Sequence, residues 1–325
     1  MVSLGGWSTI ILPDEKFDVS KCNCLVLMTT LVGNKVLENL DDEVVNDSVC
    51  HLSTTVDGRI DLFGHAGQAA MYREFRPQYS KQMVESVVSR IADSDRGLCV
   101  DIACGPGTLT ELVAPYFSKT LGIDQSFEQL KSAAIVDGCD MQYVPGSAFA
   151  IPVESGRVDF LTVAQGLHWL LPYEDFFREV LRVLKPGGLF TAFAYAFPRI
   201  INCEAQKALD SFYFGILGSH LSPGQPGCRW ETNRPTIDCF YADIPFPREV
   251  ITTKYPERKS LTLQHYMNYL KTLSSYRSLL RSSDSKDDPL PKLQSDLMDA
   301  LSIESTDSLI EIEIPFFTVS FVNSV

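Results

Sequence analysis

Val100-Asp-Ile-Ala-Cys-Gly-Pro-Gly107 is the stretch that decides how this chain folds. Leu98 to Ile102 is a short apolar run of the kind buried on both faces of a sheet. It breaks at a turn in which Ala103, Gly105 and Gly107 carry little or no side chain, so a ligand can approach the backbone closely. Leu109 to about Phe117 then reads as a helix, whose first turn offers N–H groups with no intrahelical partner. Asp124 lies 23 residues beyond Asp101, at the end of a second predicted strand, Thr120 to Ile123. An acidic residue there suits a ribose diol, because its two oxygens accept two hydroxyl hydrogens. A dinucleotide site shares that pattern. The nicotinamide fingerprint, however, needs a small third residue where Thr110 or Thr108 stands, which disfavours an oxidoreductase.

Working outward, strands and helices alternate. Upstream, Ser80 is placed to cap a helix whose Val84, Val87, Val88 and Ile91 follow the i, i+3, i+4, i+7 rule. Downstream, Ser126 is placed to cap a helix bearing Phe127, Leu130, Ala133 and Ala134. Met141 to Val144, Val158 to Ala164 and Leu189 to Tyr195 are further predicted strands, with a helix over Tyr173 to Leu184 stopped by Pro186-Gly-Gly188. This alternation predicts an α/β fold, a doubly wound, mostly parallel sheet with helices on both faces. A ligand is then expected at the carboxyl ends of the strands, at the switch point beside the first strand.

Asp101-Ile-Ala-Cys-Gly-Pro-Gly107 resembles the D/E-x-G-x-G-x-G motif of class I S-adenosylmethionine-dependent methyltransferases, with Ala103 in place of the first glycine. Pro145-Gly-Ser-Ala-Phe-Ala-Ile-Pro152 is similar to the family's third-strand segment, with Ser147 where an Asp often contacts the adenine amino group. Asp159-Phe-Leu-Thr-Val163 matches the fourth strand, and Val183-Leu-Lys-Pro-Gly-Gly-Leu189 the approach to the fifth, as in type 11 methyltransferase domains. Four further segments resemble the trans-aconitate and cantharidin methyltransferase-like subgroup, a likeness that covers roughly residues 62 to 323. They are Tyr72-Arg-Glu-Phe-Arg-Pro-Gln-Tyr79, Ala164-Gln-Gly-Leu-His-Trp169, and Ile244-Pro-Phe-Pro247 with Tyr269-Leu-Lys-Thr-Leu-Ser274.

The resemblance implies a Rossmann-like, seven-stranded sheet with S-adenosylmethionine as cofactor. Asp101 is then expected near the methionine amino end, and Ala103, Gly105 and Gly107 under the methionine and ribose. Asp124 would hold the ribose hydroxyls, Gln125 would flank the adenine, and Ser147 and Ala148 would border its edge. Gln165 would face the methionine portion, while Tyr72 and Arg76 would close over it, Arg76 towards the carboxylate. His168 and Trp169 are candidate acceptor-pocket residues, an aromatic face being favourable to a sulfonium cation. The acceptor is expected to be an oxygen, carboxylate or hydroxyl, of a small molecule; no general acid–base pair stands out, which leans towards a carboxylate or other acceptor already ionised, and Arg199, Arg229 and Arg234 are candidates to hold its anion. A family member that binds cofactor or a partner protein without catalysis is the alternative, motivated by Ala103 and Ser147.

The rest of the chain is less regular. Residues 1–60 read as an acidic, aperiodic extension, 61–197 as the cofactor-binding core, and 198–325 as a cap or lid with a closing hairpin. Within that last part, helices are expected over Asn202 to about Leu217 and Leu263 to Leu280, a lid over 222–248, and an antiparallel hairpin around Pro315. The chain has 325 residues, with 28 basic against 41 acidic side chains and a net charge of −13. That balance argues against a general nucleic-acid binder, whose phosphate contacts need clustered Lys and Arg. No N-terminal apolar run approaches the roughly 20 residues of a membrane span. Asp14, Glu15 and Asp18 argue against a secretory signal. Nine cysteines without a C-x-x-C pair suggest reduced thiols, no metal site and a cytoplasmic location.

Overall fold

The computed structural model describes residues 68–218, 241, 244–281 and 288–324, which belong to one compact unit. The predicted extension at 1–60 and most of the predicted lid at 222–248 lie outside the described residues.

Two helices lead in, α1 (Gln68–Phe75) and α2 (Lys81–Val88), the second capped by Ser80 Oγ accepting from Met83 N–H. There follow β1 (Leu98–Ile102), α3 (Thr110–Val113), β2 (Lys119–Asp124), α4 (Phe127–Lys131), β3 (Met141–Pro145) and β4 (Val158–Ala164). Then come α5 (Tyr173–Val183), β5 (Leu184–Tyr195), β6 (Arg199–Ile200) and α6 (Cys203–Asp210). The C-terminal part supplies β7 (Ile251–Thr262), α7 (Leu263–Lys271), α8 (Ser274–Arg281), α9 (Leu290–Leu301) and β8 (Leu309–Val322).

The strands form one sheet in the order β3-β2-β1-β4-β5-β8-β7, with the two-residue β6 pairing to β8 alongside β5. β3, β2, β1, β4 and β5 are parallel, and β8 is antiparallel to both β5 and β7. This is the doubly wound, mostly parallel sheet expected, with seven long strands. Alternate side chains feed two cores. Phe193, Tyr195, Ile312 and Phe316 face α2, α6, α7 and α9, and Val100, Leu161, Phe190 and Phe321 face α5. Phe190 and Phe321 are register partners whose rings stack at 4.8 Å between centroids.

Three expectations are corrected. The chain does not turn at Pro315, because β8 runs unbroken through it. Proline is tolerated there because it falls between β5 and β6: Tyr195 pairs with Phe316 and Arg199 with Glu313, and only the Pro315 carbonyl is used, by Ala196 N–H. The helix expected over Leu263 to Leu280 is two, divided at Thr272, whose hydroxyl bonds back to the Tyr269 carbonyl at 2.6 Å. β7 and α9 were not foreseen. Ile251-Thr-Thr-Lys-Tyr-Pro-Glu-Arg-Lys-Ser-Leu-Thr262 is polar enough to read as loop, and its pairing along the length of β8 makes it a strand. No helix among the described residues is long and apolar enough to cross a membrane.

Phe190→Ala should lower unfolding free energy by about 3–5 kcal/mol in a denaturant titration, whereas truncating the exposed Ile135 should change it by under about 0.5 kcal/mol.

Candidate functional site

The carboxyl ends of β1, β2, β3, β4 and β5 open into a cavity of about 330 Å³ beneath α1. Of the residues singled out by sequence, Ala103, Gly105, Asp124, Gln125 and Ala148 line it from below. Tyr72, Arg76, Gln165 and Trp169 line it from above and from the β4 side. Four more and the exposed Arg199 stand outside the lining, while Arg229 and Arg234 lie outside the described residues. Asp101 lies within β1 with its carboxylate held by Thr110 and Thr162, Gly107 lies under Tyr143, Ser147 is turned into its own loop, and His168 is beside Trp169 with ring centroids 5.2 Å apart. Lining residues that sequence reasoning missed include Thr108, Gln129, Phe149, Leu170 and Tyr195. Tyr195 ends β5 and Phe149 follows β3, so the strand-end rule carried a signal for both.

Asp124 organises the floor. Its Oδ2 accepts from Gly105 N–H and its Oδ1 from Ser126 N–H, both at 2.8 Å. The Asp124 carbonyl takes Gly146 N–H at 2.9 Å. A carboxylate has about four lone-pair sites, so it has the capacity to hold these amides and a vicinal diol together.

The glycine turn is shaped from within. Ala103 and Gln165, at the ends of β1 and β4, are both left-handed, with φ of 53° and 50°. Such conformations cost about 1–2 kcal/mol in non-glycine residues and cluster where structure serves a site. A Cβ on Gly166 would come within 3.0 Å of the Ala103 Cβ, so the loops after β1 and β4 abut. Gly107 (φ 80°) lies where any Cβ would collide with the Tyr143 phenol, and Gly122 would press the same ring. Tyr143 therefore explains Gly107 as packing.

Asp101 is fully buried and braces the turn. Its Oδ2 accepts from Thr110 Oγ1 at 2.6 Å and its Oδ1 from Thr162 Oγ1 at 2.8 Å, joining β1, α3 and β4. Burial pushes its carboxyl up to about 6, against the lowering effect of the two hydroxyl donors.

α1 is fastened over the cavity by two arginines. Arg73 donates to the Pro106 carbonyl at 3.1 Å and pairs with Glu111 at 2.7 Å. Arg76 donates to the Thr272 carbonyl at 2.9 Å and to Tyr195 Oη at 3.4 Å. Its guanidinium lies 4.8 Å from the Tyr72 ring centroid and 5.6 Å from that of Tyr269. It has no carboxylate partner among the described residues, and its buried Nε makes no hydrogen bond. Burial raises the Tyr72 phenol to about 12. Burial, and then the charge of Arg76, lower the His168 imidazole to about 4, so it is neutral above that pH.

Two more buried atoms in this wall lack partners. Gln165 gives Nε2 to the Tyr195 carbonyl at 3.0 Å and leaves Oε1 unbonded, and Thr108 Oγ1 is likewise unsatisfied. Such atoms are rare in folded proteins and point to a missing ligand or water. A cationic donor and a neutral acceptor, both beside Tyr195, fit the carboxylate and ammonium of an amino acid. Asp124 fits a diol, and Ala148 with Phe149 a flat base. The residues present therefore fit S-adenosylmethionine. A larger groove of about 690 Å³ lies at the opposite end of the sheet, but its Asp159 is already held by Lys185 at 2.6 Å and Leu98 N–H at 2.8 Å.

The comparisons with known proteins agree. The type 11 methyltransferase domain matches residues 100–192. A Dictyostelium discoideum protein named as a methyltransferase is 30% identical over 263 residues, covering 80% of this chain and 94% of the relative. An S-adenosylmethionine-dependent methyltransferase of Saccharomyces cerevisiae is 25% identical, covering 68% and 84% of the two chains. A Pseudomonas fluorescens ubiquinone/menaquinone biosynthesis C-methyltransferase is 27% identical, covering 68% and 88%. In fold, the chain is similar to a type II methyltransferase structure from Anaeromyxobacter dehalogenans, with TM-score 0.61, 23% identity, and coverage of 77% of this chain and 98% of that one. The chain belongs to the S-adenosylmethionine-dependent methyltransferases.

The Asp101 carboxyl titrates higher in the folded chain than in the unfolded one, at about 6 against 3.8, so its burial is tolerated best when protonated. Its contribution to stability is present at low pH and is lost as pH rises through 6. Relative to Asp101→Asn, wild-type stability should fall by up to about 3 kcal/mol across that window, read by denaturant titrations at stepped pH.

Proposed function

We propose that this methyltransferase modifies an oxygen of a small molecule, with a carboxylate as the favoured acceptor. The observation that carries the cofactor's placement is the pair of unbonded buried atoms, Arg76 Nε and Gln165 Oε1, in one wall of the cavity. In this reading Arg76 receives the methionine carboxylate and Gln165 the ammonium. Asp124 takes the ribose hydroxyls, with Gln125 beside the base. Ala103 and Gly105 lie beneath the methionine and ribose. Asp101 acts through Thr110 and Thr162 by holding the turn, and Gly107 and Ser147 act through the loops they shape. Residues 61–197 supply this core, and 198–325 complete the sheet and the acceptor side.

Bound there, S-adenosylmethionine supplies a methyl group on a sulfonium, already a good leaving group. The chain's own work is then alignment and exclusion of water. Trp169 offers an aromatic face beside the reacting centre. His168, at about 4, is too weak a base to deprotonate a hydroxyl or a ring carbon. A carboxylate needs no base, and the likeness of Tyr72–Tyr79 and Ala164–Trp169 to the trans-aconitate and cantharidin subgroup supports the same acceptor class. The cavity, at about 330 Å³, suits a small ligand rather than a nucleic acid.

S-adenosylhomocysteine should bind the full chain in calorimetry, and Arg76→Met should weaken it by about 10- to 100-fold. An analogue lacking the carboxylate should bind wild type and variant alike; equal loss for both ligands would count against the assignment. With labelled methyl donor and a pool of small acids, the product should be a methyl ester cleaved by mild alkali. A stable methyl ether or C-methyl product would overturn the carboxylate. His168→Asn should leave kcat within about threefold, whereas a general base would cost about 100-fold or more.

A further inference from the structure

The loop after β3 walls the cavity with Gly146, Ala148 and Phe149. From Gly146 to Val153 it contains no ionisable residue. Its one hydroxyl, Ser147 Oγ, accepts from Phe149 N–H at 3.2 Å, within the loop. What this wall admits is therefore set by the placement of its backbone and of the Phe149 ring, and not by a charged side chain.

That placement is fixed from α5. Glu179 Oε2 accepts from Ile151 N–H at 3.0 Å. Arg182 donates to the Ile151 carbonyl and to the Val153 carbonyl, each at 2.8 Å. The two side chains grip one another, Nε to Oε1 at 2.8 Å and Nη2 to Oε2 at 2.7 Å. Hydrogen bonds from Arg182 hold the Glu179 carboxyl below its usual range. At its other end the loop is tied through Gly146 N–H to the Asp124 carbonyl. Ala148 and Phe149 lie between these two anchors. Neither Glu179 nor Arg182 lines the cavity. An i, i+3 pair on an exposed helix adds only a few tenths of a kcal/mol. This one is set apart by its partners: three backbone groups of a ligand-facing loop.

We propose that Glu179 and Arg182 are positioning residues for the cofactor's base: by clamping Ile151 and Val153 they set the wall at Ala148 and Phe149, and so the enzyme's selectivity for adenine. The inference rests on the reading that the base lies against this wall. Loosening the clamp lets the loop drift, and shape-based discrimination falls before other cofactor contacts do.

The test is a titration of the full chain with S-adenosylhomocysteine and with S-inosylhomocysteine, in which an oxo group replaces the amino group. Glu179→Gln and Arg182→Met should weaken the adenine ligand on the order of tenfold, as small misplacements near a site do. The inosine ligand should lose less than about threefold, so the ratio of the two affinities contracts. Arg182→Lys keeps the charge, and is the milder variant should Arg182→Met fold poorly; it should lie between. A lowered Tm with an unchanged affinity ratio, or equal losses for both ligands, would overturn the proposal. Wild-type chain that binds neither ligand would instead overturn the placement of the base, and the proposal with it.

Discussion

Asp124 ties together the ends of three strands. Its carboxylate takes the amide of Gly105 after β1 and that of Ser126 after β2, and its carbonyl takes the amide of Gly146 after β3. Parallel strands bring these ends side by side, yet nothing in sheet pairing fixes the loops beyond them. One acidic residue does so at three points. The floor of the cavity, the start of the loop after β3 and the direction of the glycine turn all depend on it. Because the carboxylate is anionic, its bonds to Gly105 and Ser126 are charge-assisted, stronger than neutral ones.

The roof depends on opposite chemistry. Arg73 on α1 and Arg76 just past its end lie three residues apart, and each reaches a different half of the molecule. Arg73 is neutralised by Glu111. Arg76 is surrounded by phenols and a carbonyl, which solvate a guanidinium without cancelling its charge. A chain with a net charge of −13 thus presents a positive group inside its cavity. Overall charge bears on association with large polyanions, while a local, half-buried cation decides which small ligand is held. The same cation helps keep His168, beside Trp169, neutral.

Much of the fold was legible because its signals are local. Val158 to Ala164 is mostly apolar because a central parallel strand is buried on both faces, and Ser80 and Ser126 cap helices through their own nearby amides. β7 was not legible, because its residues favour a strand only once β8 is alongside, and β8 is more than 40 residues away. Pro315 misled for the converse reason: a local breaker is harmless where no neighbouring strand asks for its N–H. In the site, Asp124, Gly105 and Gln165 could be singled out from a pattern. Thr108 could not, and Tyr195 had only its place at a strand end to mark it, since their importance comes from facing the cavity and Arg76.

The sequence by itself determined the alternation of strands and helices, the glycine turn, and the acidic residue at the second strand's end. These rest on side-chain period, small-residue turns and spacing, all set within a few residues along the chain. Only the tertiary structure decided that Asp101 braces the turn between two threonines, that Gly107 makes room for Tyr143, that Arg76 has no carboxylate partner among the described residues, and that Glu179 and Arg182 hold a loop 28 to 31 positions earlier. Burial, hydrogen-bond satisfaction and charge neutralisation are properties of neighbours in space, and the sheet's crossovers choose those neighbours.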